Sequence, residues 1–339
     1  MIPNVEIYIK NPVNFYNKYE LTEDELAWLY MMHEEGKGQE ATDIFIQQFI
    51  LPPATKYQDV LISYMGQADS GILEQKETNN LSRNITALTL GLIALLNSNY
   101  SKYVKNVYAP QIMKDSGLTD TEVRNSVMNE VVSRFQETVQ IALSQTGTFV
   151  NNSIKTLQRE FIAENFSLRK SELSADAINQ IISNFKVSLR KKYPKFYKAI
   201  EERNIITTAR MTEAGVRFTR FKIDYYLDMV IRDSILNIDR NSVQIMALAN
   251  SEAVVGYRLM DDRNVKKDRE ICQEILNNKI LGMSLLAVDD LTAKKLGIMS
   301  VDEAKATPDF AMGYNCRHGI YRLPQDFLNR IDDLLKEVA

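Results

Sequence analysis

Apolar residues recur at helical spacing through most of the first three-quarters of the chain, and the breaks between runs carry capping chemistry. Thr22-Glu23-Asp24-Glu25 reads as a capping box, with Leu21 and Leu26 placed as its hydrophobic staple. The helix it opens is expected to run to about Glu35, where Gly36 and Gly38 stop it. A second box, Thr119-Asp120-Thr121-Glu122, follows Gly117, with Leu118 and Val123 as the staple. From Val123 the apolar positions Val127, Val131, Phe135, Val139 and Leu143 predict a helix ending at Gly147. Val150, Ile154, Leu157, Phe161 and Ile162 predict another stripe. Ile178, Ile181, Ile182, Phe185 and Leu189 predict a fourth, ended or kinked by Pro194. Ile205 to Leu236 reads as one long helix, with aromatics on one side and arginines on the other. Amphipathic helices of this kind need one another to bury their stripes.

Around residue 246 the texture changes. Ala253 to Met260 is short, β-branched and aromatic, which suits a strand. Asp261-Asp262-Arg263-Asn264 turns the chain, Lys267 to Leu276 reads as a helix, and Asn277-Asn278-Lys279 is turn chemistry. Ser300-Val301-Asp302-Glu303 caps another short helix, and a strand is expected at Gly319 to Leu323. Gln325 to Val338 reads as a final amphipathic helix. The expected architecture is therefore mainly α, with an elongated helical region over 1–245. A small α+β unit follows over 246–325, and a C-terminal helix over 326–339.

Length and composition fit this picture without changing it. At 339 residues the chain exceeds what one core usually organises. The longest apolar run, Ile85 to Leu96, is well short of the roughly twenty residues of a membrane span, so it predicts a buried helix. The first residues lack the basic-then-apolar layout of a secretion signal. Two cysteines in a chain of this size point to a reducing cytoplasm and no disulfide framework.

Charge adds an asymmetry that the net value of −3 hides. Met1 to Ile50 carries nine acidic and three basic residues. Lys186 to Lys222 carries eleven basic and three acidic residues. Arg203, Arg210 and Arg217 fall seven apart, so on one helix they would share a face. Together with Arg190, Lys191, Lys192 and Arg220 they are candidates for contacts with phosphate or an acidic protein. The competing reading is a solvated face balanced by acids elsewhere in the fold.

The scarce residue types gather late. Cys316 and His318 lie in Gly313-Tyr314-Asn315-Cys316-Arg317-His318, and Cys272 closes the segment that begins at Asp262-Arg263. Zinc is one reading, but the region supplies three soft ligands and no Cys-x-x-Cys pair, so Asp268 or Glu270 would have to complete the set. A thiol nucleophile is another, although Cys316 and His318 point apart on an extended chain. The third is structural. Gly313 permits a turn, Asn315 bonds local backbone, Cys316 faces Cys272, and Arg317 pins a carboxylate such as Asp262. A disulfide between the cysteines would form only outside the cell. No metal, cofactor or catalytic residue is assigned on this third reading.

The order of these elements resembles the C-terminal core of tailed-phage minor head proteins of the Mu type, also called phage minor capsid proteins. The likeness rests on Tyr257-Arg258-Leu259, Asp262-Arg263, Cys272, Pro308 and Gly313 to His318, with Thr207 to Ala214 resembling the helix that precedes the core. It covers roughly residues 200 to 325. Two departures stand out: a single Cys272 where relatives pair two cysteines or use histidine, and Asn277-Asn278 in place of a glycine. The resemblance implies a non-enzymatic, low-copy structural component of the virion head. It would be made in the host cytoplasm and be oligomeric within the particle. Its implied partners are the portal or major capsid protein, with packaged DNA as a further contact and no membrane. It implies a role in head morphogenesis, DNA packaging or ejection. The rival classes are a zinc- or thiol-dependent enzyme on the C-terminal unit and a stand-alone nucleic-acid-binding protein.

Overall fold

A computed structural model describes residues 14–70, 75–115, 118, 120–168, 175–212, 215–249, 254–259, 279–280, 283–287, 290–296, 300, 303 and 318–322. The protein is mostly helical. A 3-10 turn, Asn14–Tyr19, precedes α1 (Glu23–Glu34), α2 (Gly38–Phe45), α3 (Leu51–Ser70), α4 (Gln75–Tyr103) and α5 (Ala109–Asp115). The long helix α6 (Thr121–Leu168) leads to α7 (Ala175–Lys192) and α8 (Pro194–Glu202). A hairpin of β1 (Ile206–Thr212) and β2 (Gly215–Phe221) comes next, then α9 (Ile223–Ala249). Beyond it lie β3 (Val254–Leu259), β4 (Lys279–Ile280), β5 (Met283–Ala287), α10 (Asp290–Leu296) and β6 (His318–Arg322). No described helix is long and apolar enough to cross a membrane.

The chain clusters into two compact units, each discontinuous in sequence. One comprises residues 1–22, 43–99 and 136–228, the other 23–42, 100–135 and 229–339.

Several helix boundaries follow the capping chemistry. Helix α1 starts directly after Thr22, Leu21 and Leu26 are buried, and Gly36 ends the run with φ +78°. Only glycine takes that conformation without strain. Gly38 does not stop a helix; it starts α2. Its missing side chain makes room for His33, because a β-carbon there would lie 2.7 Å from the His33 ring. At α6 the cap is Asp120, whose Oδ1 accepts from the amides of Glu122 and Val123 at 2.9 and 3.0 Å. Thr119 lies outside the described residues.

Two predicted boundaries are corrected. Helix α6 does not end at Gly147; it runs unbroken to Leu168, so two predicted stripes belong to one helix. Gly147 is there for close packing: a β-carbon would meet the Thr89 hydroxyl at 2.8 Å. Ile162, assigned to the apolar stripe, is exposed. The second correction concerns Ile205 to Leu236, which is a hairpin followed by a helix rather than one helix. Ile205-Ile206-Thr207-Thr208 is β-branched and stiff, and Gly215 opens the return strand.

Two π-helical segments, Ile46–Ile50 and Val104–Tyr108, interrupt the helices. Each is followed after one residue by proline, Pro52 and Pro110. A proline ring collides with the carbonyl four residues back, and a widened turn relieves that collision. Pro53 also removes the amide that would bond the Phe49 carbonyl. The side chain of Asn99, fully buried, supplies the donor instead: its Nδ2 donates to Phe49 O at 3.3 Å and to Tyr19 O at 2.8 Å. Its Oδ1 accepts from the Leu21 amide at 2.9 Å. One carboxamide thus ties the N-terminal turn, the π segment and α4 together within the first unit.

The second unit has its own buried polar core. Tyr103 receives or donates bonds to Thr42 at 2.9 Å and His33 at 3.3 Å, and the His33 ring meets Tyr108 edge-on. Tyr100 stacks on Phe135 and donates to Ser234 at 2.6 Å. Arg240 is buried, 3.2 Å from Asn237 Oδ1 and 3.9 Å from Asp233.

The late strands form a four-stranded antiparallel sheet in the order β4-β5-β3-β6. Ser300 and Glu303 complete their predicted box: each side chain accepts the other's amide, at 3.0 and 3.1 Å.

Candidate functional site

The strongest concentration of described candidate residues is the basic run where α7, α8 and the hairpin meet, in the first unit. Pro194 occupies the first turn of α8, where its missing amide costs nothing. It also drives Tyr193 out of the helical region, to φ −122°, so the chain bends there. That bend sets Tyr193 and Phe196 against one face of α6. The face is built from Phe149, Asn152, Ser153, Thr156 and Leu157, spaced three and four apart as neighbours on a helix are. Between them lies a cleft of about 210 Å³.

An ion pair at one end and a cation–π contact at the other hold this cleft. Beyond Leu157, Glu160 accepts from Lys192 Nζ at 2.7 Å and from the Tyr193 hydroxyl at 2.6 Å. The Lys192 bond first, then the Tyr193 bond, holds the Glu160 carboxyl below its ordinary range. Beside Phe149, the Arg220 guanidinium lies 5.1 Å from the ring centre and donates to the Lys195 carbonyl at 2.6 Å. Tyr197 donates to Asp69 at 2.7 Å; burial, and then this carboxylate, push its phenol up.

The sequence-predicted cations divide into two groups. Arg190 covers the Tyr197 ring at 5.3 Å with Glu201 3.9 Å away, Lys198 pairs with Glu202, and Lys192 pairs with Glu160. Arg203 caps α8 in the left-handed conformation and bonds Asp59. For these residues the acids elsewhere in the fold do balance the charge. Lys191, Lys195 and Lys222 are exposed and have no ion pair among the described residues.

The predicted shared helical face of Arg203, Arg210 and Arg217 is corrected. Arg203 ends a helix, whereas Arg210 and Arg217 are in the hairpin, as directly opposed register partners. Strand pairing, not a seven-residue helical repeat, brings the last two together.

Of the late motif, the structure places His318 at the start of β6, in register with Leu259 of β3. Asp262, Arg263, Cys272, Gly313, Asn315, Cys316 and Arg317 lie outside the described residues, as do the predicted helices over 267–276 and 325–338. Among the described residues no cluster of histidine, cysteine, aspartate and glutamate could hold a metal ion.

Sequence reasoning missed the cleft itself. Its signal is present in retrospect: Asn152, Ser153 and Thr156 interrupt an apolar face directly opposite a tyrosine that precedes proline. No family model, curated protein or solved structure matches the chain.

Proposed function

We propose that this chain is a structural protein of a tailed-phage head, bound at the portal vertex or inner capsid, whose work is docking and not chemistry. One observation carries the reading. The β3–β6 register sets Tyr257-Arg258-Leu259 alongside Ile320-Gly319-His318, so the two ends of the motif that resembles minor head proteins are strand neighbours. On this reading residues 246–325 form a small α+β unit around that sheet. The helical remainder supplies the docking surface. Lys191, Lys195 and Lys222, exposed on the first unit, meet acidic groups of the portal or phosphates of packaged DNA.

The test is incorporation. The chain is co-expressed with a portal and a major capsid protein from the genome that carries its gene, and assembled heads are isolated by sedimentation. Low-stoichiometry recovery of the chain with the heads supports the reading. Heads that assemble without it, leaving the chain in the soluble fraction, count against it. In that case salt-sensitive binding to DNA alone would favour the nucleic-acid class, and stoichiometric zinc lost on Cys272→Ser would favour the enzyme class.

A further inference from the structure

Two surface features, each unexplained by the packing of its own unit, are complementary. The first is the outer face of α1. Trp28, the single tryptophan of the chain, is 41% exposed, and Met31 is 55% exposed. Residues three apart share a helix face, so the two form one apolar patch. Asp24 lies four residues before Trp28 on the same helix and is exposed, so an acid borders the patch on its N-terminal side, while Glu35, just past the end of α1, pairs with Lys37 at 2.8 Å.

The second is the cleft on α6. Its base is apolar, since Leu157 and Phe196 are buried, and Phe149 and Tyr193 stand at its sides. Asn152, Ser153 and Thr156 add an amide and two hydroxyls. Exposed Lys195 and half-buried Arg220 flank it, with Lys192 and Glu160 at its other end.

We propose that the α1 stripe of one copy docks in the α6 cleft of a second copy, with Trp28 as the anchor. Size permits it: a cavity of about 150 Å³ holds a benzene ring, and this cleft measures about 210 Å³. Chemistry favours tryptophan over a purely apolar side chain, because a buried indole N–H needs an acceptor. The Ser153 or Thr156 hydroxyl, or the Asn152 carbonyl, meets that need. Charge sets the orientation, with Asp24 facing the Lys195–Arg220 side. Tryptophan is also among the residue types that dominate interface energetics. Since every copy carries both halves, the contact links like to like, closing as a reciprocal dimer or a head-to-tail ring. The proposal does not depend on the virion reading.

The test uses the full chain, with sedimentation and Trp28 fluorescence followed against protein concentration. Association with a blue shift of the emission is expected as Trp28 leaves water. Trp28→Ala should weaken association about tenfold or more. Its far-UV helical signal should match wild type, and Trp28→Phe, which keeps part of the packing within its own unit, should weaken association while changing stability less. Ser153→Phe, which fills the cleft, should weaken association equally. Lys195→Glu should weaken it, and adding Asp24→Lys to that variant should restore it. A chain that stays monomeric at on the order of 100 μM, or one whose association survives both Trp28→Ala and Ser153→Phe, overturns the proposal.

Discussion

A β-carbon at Gly147 would lie 2.8 Å from the hydroxyl of Thr89, so α6 and α4 meet at a point that only glycine fits. That hydroxyl is already engaged, bonding Tyr57 at 2.7 Å and the Ile85 carbonyl at 2.7 Å, and has little room to retreat. Glycine to alanine inside a helix ordinarily gains about 1 kcal/mol. Here the overpacking term of about 1–3 kcal/mol wins. Gly147→Ala is expected to destabilise the protein by about 1 kcal/mol in urea unfolding. A stabilised variant would mean the two helices are farther apart than described.

Asn99 governs a larger share of the same unit. Asn99→Leu preserves bulk but removes the bonds that Asn99 makes to the Leu21 amide and to the Tyr19 and Phe49 carbonyls. Buried groups left without partners cost about 1–3 kcal/mol each. The variant should lose about 1–3 kcal/mol, measured by thermal or urea unfolding. A loss below about 1 kcal/mol would show that these groups find other partners.

Glu160 and Asp239 should respond to pH in opposite senses. The Glu160 carboxyl is held below its ordinary value of 4.5 by Lys192 and then Tyr193. Its contribution is therefore complete above that value and lost as pH falls through the lowered one. Glu160→Gln should cost at most about 1 kcal/mol at neutral pH, since the pair is screened by solvent. The difference from wild type should vanish in acid. A loss that persists unchanged in acid would assign Glu160 a role other than its charge.

Asp239 sits in the second unit, and burial raises its carboxyl above the ordinary 3.8, with Arg240 opposing. A folded state that holds the proton longer is favoured below the ordinary value and loses that advantage as pH rises through the raised one. Asp239→Asn should thus raise the melting temperature at pH 7 relative to wild type, with the gain disappearing below pH 3.8. A fall in melting temperature at pH 7 would show that the ionised carboxylate is a net stabiliser.

What the sequence disclosed follows from how local each signal is. The Ser300–Glu303 box and the start of α1 depend on residues within one turn, and both formed where expected. Strands β3 and β6 were marked by β-branched and aromatic runs to within a residue or two. The hairpin at 206–221 was not, because Phe218, Phe221, Tyr225 and Tyr226 are compatible with either period, and the pairing partner decides. Gly147 read as a stop because a glycine required by a neighbouring helix looks, in one dimension, like a glycine that ends one. The cleft depends on α6 meeting the Tyr193 bend some forty residues later, and no local pattern encodes that meeting.

The most direct test of the docking account is the amount of chain retained on isolated heads when Lys191 and Lys222, exposed and without an ion pair among the described residues, are reversed in charge. Lys191→Glu/Lys222→Glu changes no residue lining the α6 cleft and leaves Trp28 in place, so its effect is separable from self-association. The account predicts that the wild-type chain sediments with heads at low stoichiometry and that the double variant falls about tenfold while remaining folded. Equal retention of both forms, or absence of both from the heads, would contradict it.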